Sequence, residues 1–147
     1  MKTLVFVACI LSAVSADNIL DHQISNIFNI TELLDYLATL KQCALKLGLS
    51  EIVTPETSFC LSQNKNLIDE KNGIKMNESK IYVKKIIRDS NLQDEMVKIF
   101  EQCQEPKKRK SDKFKRSGYD ETIKFLKCIL PFVNYVLKGV PFYNSII

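Results

Sequence analysis

Five cysteines and one histidine are the residues of this 147-residue chain whose side chains could do covalent or metal chemistry. Cys9 lies in the first ten residues, within an apolar run. Cys43, Cys60, Cys103 and Cys128 follow, separated by 16, 42 and 24 residues. None stands in a C-x-x-C pair, and the lone His22 sits far from all four, so the spacing does not suit zinc. Nor does it suit catalysis. One histidine cannot supply a persuasive triad, and the adjacent His, Asp and Cys of secreted phospholipases are missing. Asp21-His22 is a suggestive dipeptide, but it has no cysteine beside it. The expectation is a protein without enzymatic activity, metal or cofactor. An even number of cysteines in a short exported chain reads instead as two disulfides. Two arrangements are open: Cys43–Cys60 with Cys103–Cys128, or an interleaved set.

Export is itself an expectation from the sequence. Lys2, the apolar stretch Leu4 to Leu11 and the small residues Val14-Ser15-Ala16 have the order of a cleavable signal peptide over residues 1–16. Cys9 would leave with it, and a single secreted, extracellular domain would remain over residues 17–147. The leader is too short to span a bilayer. No later stretch reaches the roughly 18–20 apolar residues of a membrane helix, so an integral membrane protein is not expected. The chain carries 21 basic and 17 acidic residues. Its excess is concentrated in Lys107 to Arg116 (KKRKSDKFKR), which leaves the rest mildly acidic. That is not the basic face of a nucleic-acid-binding protein.

The elements that must position the cysteines read as helices. Glycines and prolines number four each, and apolar residues recur every three or four positions without useful period-2 alternation. In the first long segment, about Leu20 to Leu47, the stripe is Ile30, Leu33, Leu34, Leu37, Leu40, Ala44 and Leu47. Asn29 or Thr31 could open a separate helix within it, and Gly48 is placed to end it. Ser50 to Thr57, with Pro55, reads as a turn or a single helical turn; Ser58 to Ile68 as a short helix; Asp69 to Met76 as a loop about Asn72-Gly73. Asn77 is expected to cap a helix to about Arg88 that buries Ile81, Ile86 and Ile87. Leu92 to Cys103 follows, with Met96, Ile99 and Phe100 inward. Tyr119 to Leu130 is the last firm helix, with Pro131 expected to interrupt before Phe132 to Lys138. The fold class is all-α, about six short helices.

The order of these features resembles the insect odorant-binding proteins, of the pheromone and general-odorant type. The likeness lies in Cys43 followed by Leu47-Gly48-Leu49-Ser50, in Cys60-Leu61 leading to DEKNGIKMNESK, in MVKIFEQC ending at Cys103 and in TIKFLKC ending at Cys128. It corresponds to a branch lacking two of the usual six cysteines. The family's spacing would place the missing pair at Glu56 and Tyr119, and those two normally bond to each other. Two departures stand out: Cys43 to Cys60 is short, and Cys103 to Tyr119 is lengthened by the basic run. The resemblance implies the pairing Cys43–Cys60 with Cys103–Cys128. It also implies a compact helical shell around an apolar cavity that carries a small hydrophobic, odorant-like or lipid-like ligand.

For the lining of such a cavity the candidates are Tyr36, Tyr82, Phe100, Tyr119, Phe125, Phe132 and Tyr135. An apolar pocket with a few hydroxyls is the usual make-up of a small-molecule site. The plain alternative is that each packs in a filled core. With no obvious buried cation, the expected ligand is neutral or weakly polar, of about ten to twenty heavy atoms. A second function class fits the same composition: a cytokine-like or venom signalling protein acting through its surface, as the long first helix and basic loop would allow. Lys107 to Arg116 reads as a solvated loop, as a docking patch for glycosaminoglycan, membrane or a membrane receptor, or as a site of proteolysis. Asn29-Ile-Thr31 and Asn77-Glu-Ser79 are glycosylation sequons, with Asn77 the more accessible. The apolar tail Val140 to Ile147 is expected to fold back on the shell. Phe142, Ile146 and Ile147 would there either cover the pocket or pack outside it.

Overall fold

The computed structural model describes residues 24–104 and 118–140. Residues 1–16 where a signal peptide is expected, His22, the basic run and the tail beyond Val140 lie outside them. Among the described residues there are six helical segments: α1 (residues 24–27), α2 (Ile30–Leu47), α3 (Pro55–Asn64), α4 (Met76–Ile86), α5 (Ser90–Cys103) and α6 (Gly118–Lys138). Among the described residues there is no strand, only two isolated antiparallel bridges, Phe28 with Ile87 and Ile68 with Ile74. The chain is all-α, as its periodicity predicts.

Local chemistry sets most boundaries. The side chain of Asn29 accepts a hydrogen bond from the Glu32 amide at 3.3 Å, so α2 begins there and not at Leu20. Gly48 closes α2 in the left-handed region, φ 70°, where a side chain would be strained. Pro55 opens α3. Its missing amide hydrogen has no helical partner at the first position in any case. Thr54 and Thr57 complete the start with reciprocal side-chain-to-amide bonds of 2.9 and 3.1 Å. The expected turn over Ser50 to Thr57 is thus shorter, and α3 starts three residues before Ser58. Asp89 caps α5 by accepting from the Leu92 amide at 2.8 Å.

Three expectations are corrected. Asn77 does not cap α4: the helix has already begun at Met76, Lys75 holds the capping position without a side-chain bond, and Asn77 is exposed. Ile81 is not buried but 61% exposed, because the inward stripe of α4 runs through Ser79, Tyr82, Val83 and Ile86. Pro131 does not interrupt the last helix, which continues unbroken to Lys138. Pro131 and Lys127 both face solvent, so the Lys127 carbonyl that loses its amide partner is on the side where water can replace it.

The core forms where the stripes meet. Leu33, Leu37 and Leu40 of α2 are fully buried, each contributing about 1.5–3 kcal/mol of hydrophobic stabilisation. Helix α2 packs on α3 and α4, α3 on α6, and α5 on both α4 and α6. Two disulfides fix the arrangement, Cys43–Cys60 between α2 and α3 and Cys103–Cys128 between α5 and α6. The interleaved pairing is excluded. A polar clasp joins the α3–α4 loop to α6: the buried Thr122 hydroxyl donates to the Asn72 carbonyl at 2.7 Å. Thr122→Val would leave that carbonyl unpaired, so chemical denaturation is expected to show a loss of about 1–2 kcal/mol, with Thr122→Ser losing less.

Candidate functional site

The helical shell is hollow. Between α2, α3, α4, α5 and α6 lies a cavity of about 110 Å³. Its walls are the inward stripes themselves. Helix α6 supplies the longest, Phe125, Leu126, Ile129, Leu130, Val133, Val136 and Leu137, at the three- and four-residue spacing of one helix face. Met96 and Phe100 come from α5, Tyr82, Val83 and Ile86 from α4, and Leu33 and Tyr36 from α2. Phe28, held by the bridge to Ile87, contributes beside α1.

The chemistry of the lining is uniform. Among the described residues it includes no lysine, arginine, histidine, aspartate or glutamate. Serines 58, 62 and 79 are its small polar residues, and two of their hydroxyls are committed to their own helices. The Ser62 hydroxyl donates to the Ser58 carbonyl and the Ser79 hydroxyl to the Lys75 carbonyl, each at 2.8 Å. Tyr82 is different. Its hydroxyl oxygen is buried and has no hydrogen-bond partner among the described residues. The ring lies against Tyr36, centroids 6.5 Å apart and tilted by 53°. Burial holds the Tyr82 phenol well above its ordinary ionisation range, and nearby Tyr36, Asp35 and Glu32 push in the same direction. Because the folded protein retains that proton where the unfolded chain releases it, stability contributed by Tyr82 is lost as pH rises above about 10. A spectrophotometric tyrosine titration is expected to show one phenol that ionises only with alkaline unfolding.

Of the residues selected from the sequence, Tyr36, Tyr82, Phe100 and Phe125 line this cavity together. Phe100 and Phe125 meet edge to face, 5.4 Å between centroids. Tyr119, Phe132 and Tyr135 do not line it. Tyr119 packs edge-on against Phe59 at 4.8 Å, and Phe132 lies beside Tyr135, which is 76% exposed. Tyr119 shares the phase of Thr122 and Leu126 but stands at the start of α6, Phe132 packs on the core at the edge of the inward stripe, and Tyr135 points to solvent. Choosing aromatics alone missed Met96, Val133 and Val136, which the three- and four-residue spacing of the wall would have marked, and Phe28, which lies outside the helices, was not selected. The volume also corrects a size. An apolar void of about 150 Å³ takes up benzene, so a ligand of ten to twenty heavy atoms requires these walls to move apart.

The sequons differ in accessibility. Asn77 is exposed, whereas the side chain of Asn29 is half-buried and committed to the first turn of α2. Among the described residues no group of three or more His, Cys, Asp or Glu side chains is placed to hold a metal ion, and no helix is long and apolar enough to cross a membrane. Set against protein-family models, curated proteins and solved structures, the chain matches none.

Proposed function

We propose that this protein is a secreted, non-enzymatic carrier of small hydrophobic molecules, which it holds in the internal cavity. The carrying observation is the cavity itself: a partly open hollow in a disulfide-stapled core, with no charged side chain among the described residues that line it. Protein interiors normally fill to crystal-like density. A half-open void walled by apolar stripes forgoes dispersion contacts, which an apolar guest would restore. The two disulfides favour an oxidising, extracellular setting.

The resemblance to the odorant-binding proteins supports the same reading. Its implied pairing agrees with the two bridges. The positions where that family would place its further bridge, Glu56 and Tyr119, lie on α3 and α6, which pack together. Tyr119 there meets Phe59, one turn beyond Glu56. An aromatic contact thus occupies the junction at which relatives of six cysteines would be cross-linked.

The test is displacement of a fluorescent apolar probe from the refolded, disulfide-bonded protein. Saturable binding at micromolar or lower concentration, reversed by small apolar molecules, is the expected result. A protein that ignores such probes yet adheres to cells or heparin would instead be a signalling ligand that acts through its surface.

A further inference from the structure

We propose that Tyr82 anchors the ligand, its buried hydroxyl donating a hydrogen bond to the oxygen of a small, neutral carbonyl or ether compound. The inference rests on the carrier reading and gives its ligand a chemical class. Three observations converge on it.

The first is the unmet donor. A buried hydroxyl without a partner costs free energy that a single well-placed acceptor recovers. The Tyr82 hydroxyl is in that condition among the described residues, buried on a side chain that lines the cavity, while Ser62 and Ser79 have spent theirs on backbone carbonyls. A trapped water is a poor substitute, since it needs two to four polar partners and this lining offers few. A guest with one oxygen and an apolar body suits it better.

The second is the absence of any cationic side chain among the described residues of the lining. A carboxylate brought into this cavity would lose its hydration and gain no counter-ion. The third is the sign of the surroundings. Glu32 and Asp35 of α2 oppose negative charge at the Tyr82 oxygen, and a ligand anion placed there would meet the same field. Asp35 is already paired with Lys65, which therefore does not serve as the missing cation. The acceptor that fits is uncharged: a ketone, aldehyde, ester or ether oxygen, not a fatty-acid head.

Three probes of equal heavy-atom count separate these cases: cyclohexanone, methylcyclohexane and trimethylacetate. With the disulfide-bonded full chain, calorimetric or NMR titration is expected to show cyclohexanone binding and trimethylacetate failing to bind. Tyr82→Phe should weaken cyclohexanone about tenfold, the worth of one hydrogen bond to a buried donor. It should leave methylcyclohexane unchanged or tighter. In the unsubstituted protein the carbonyl stretch of bound cyclohexanone should move to lower frequency than in an alkane solvent, which keeps the test decisive if the variant folds poorly. A stretch at the alkane position, an equal response of both neutral probes to Tyr82→Phe, or preferred binding of trimethylacetate would overturn the anchor and leave the carrier standing. Binding of none of the three would overturn both.

Discussion

Replacing Cys103 and Cys128 together by alanine is expected to lower the free energy of unfolding by about 3.5 kcal/mol. The bridge closes a segment of 25 residues, and the loop-entropy estimate for that length gives this figure. The Cys43–Cys60 bridge, closing 17, is worth about 3 kcal/mol on the same basis. A domain of this size is stable by only about 5–15 kcal/mol. Loss of both bridges would therefore consume much of the total. Urea midpoints of the two double variants and of the fully reduced protein check this. A shift equivalent to less than about 1 kcal/mol would mean that the helices hold their places by packing alone, since even the lower bridge estimate is several times larger.

Filling the cavity is the second large effect. Val83 of α4 is half-buried and lines the void. Val83→Phe would place a ring where the ligand is proposed to lie. Probe affinity is expected to fall at least about a hundredfold, because the guest must then displace a covalently attached group already packed there. Stability should fall little or rise, as filling a void recovers dispersion contacts. Fluorescence titration beside thermal unfolding separates the outcomes. Unchanged affinity in a stably folded Val83→Phe would place binding elsewhere on the molecule.

The architecture was legible wherever one local interaction decides. Asn29, Gly48 and the Asn72-Gly73 turn act through their own backbone neighbourhood, and a reader of the sequence finds them in place. Pro131 was misread, whereas for Pro55 a helical turn was one of two readings and the helix simply runs on from it. Pro55 stands at the one helical position where a missing amide costs nothing. Pro131 stands mid-helix on a solvent face, where packing of the surrounding stripe outweighs one lost hydrogen bond. Ile81 shows the limit of composition, since the two isoleucines of this short helix, Ile81 and Ile86, are five residues apart and cannot both face inward with Tyr82 and Val83. The cavity was legible only in its walls. Whether facing stripes close completely depends on the distance between helices, a non-local quantity to which every connection contributes. Tyr135 falls outside because the phase of α6 turns it to solvent, Phe132 because it sits at the edge of the inward stripe, and Tyr119 because it stands at the start of the helix, against Phe59.

The disulfides divide the helices unequally. One joins α2 to α3 and the other α5 to α6, while α4 carries no bridge at all. Its buried residues are few, Ser79 and Ile86, and besides them only Met76, Tyr82 and Val83 pack on the core. In a cooperative fold an element with little buried apolar surface and no covalent tie detaches at low free energy. The shell is therefore expected to open in a set order. The cross-linked pairs are its fixed part, and α4, which carries Tyr82, is the panel expected to leave first.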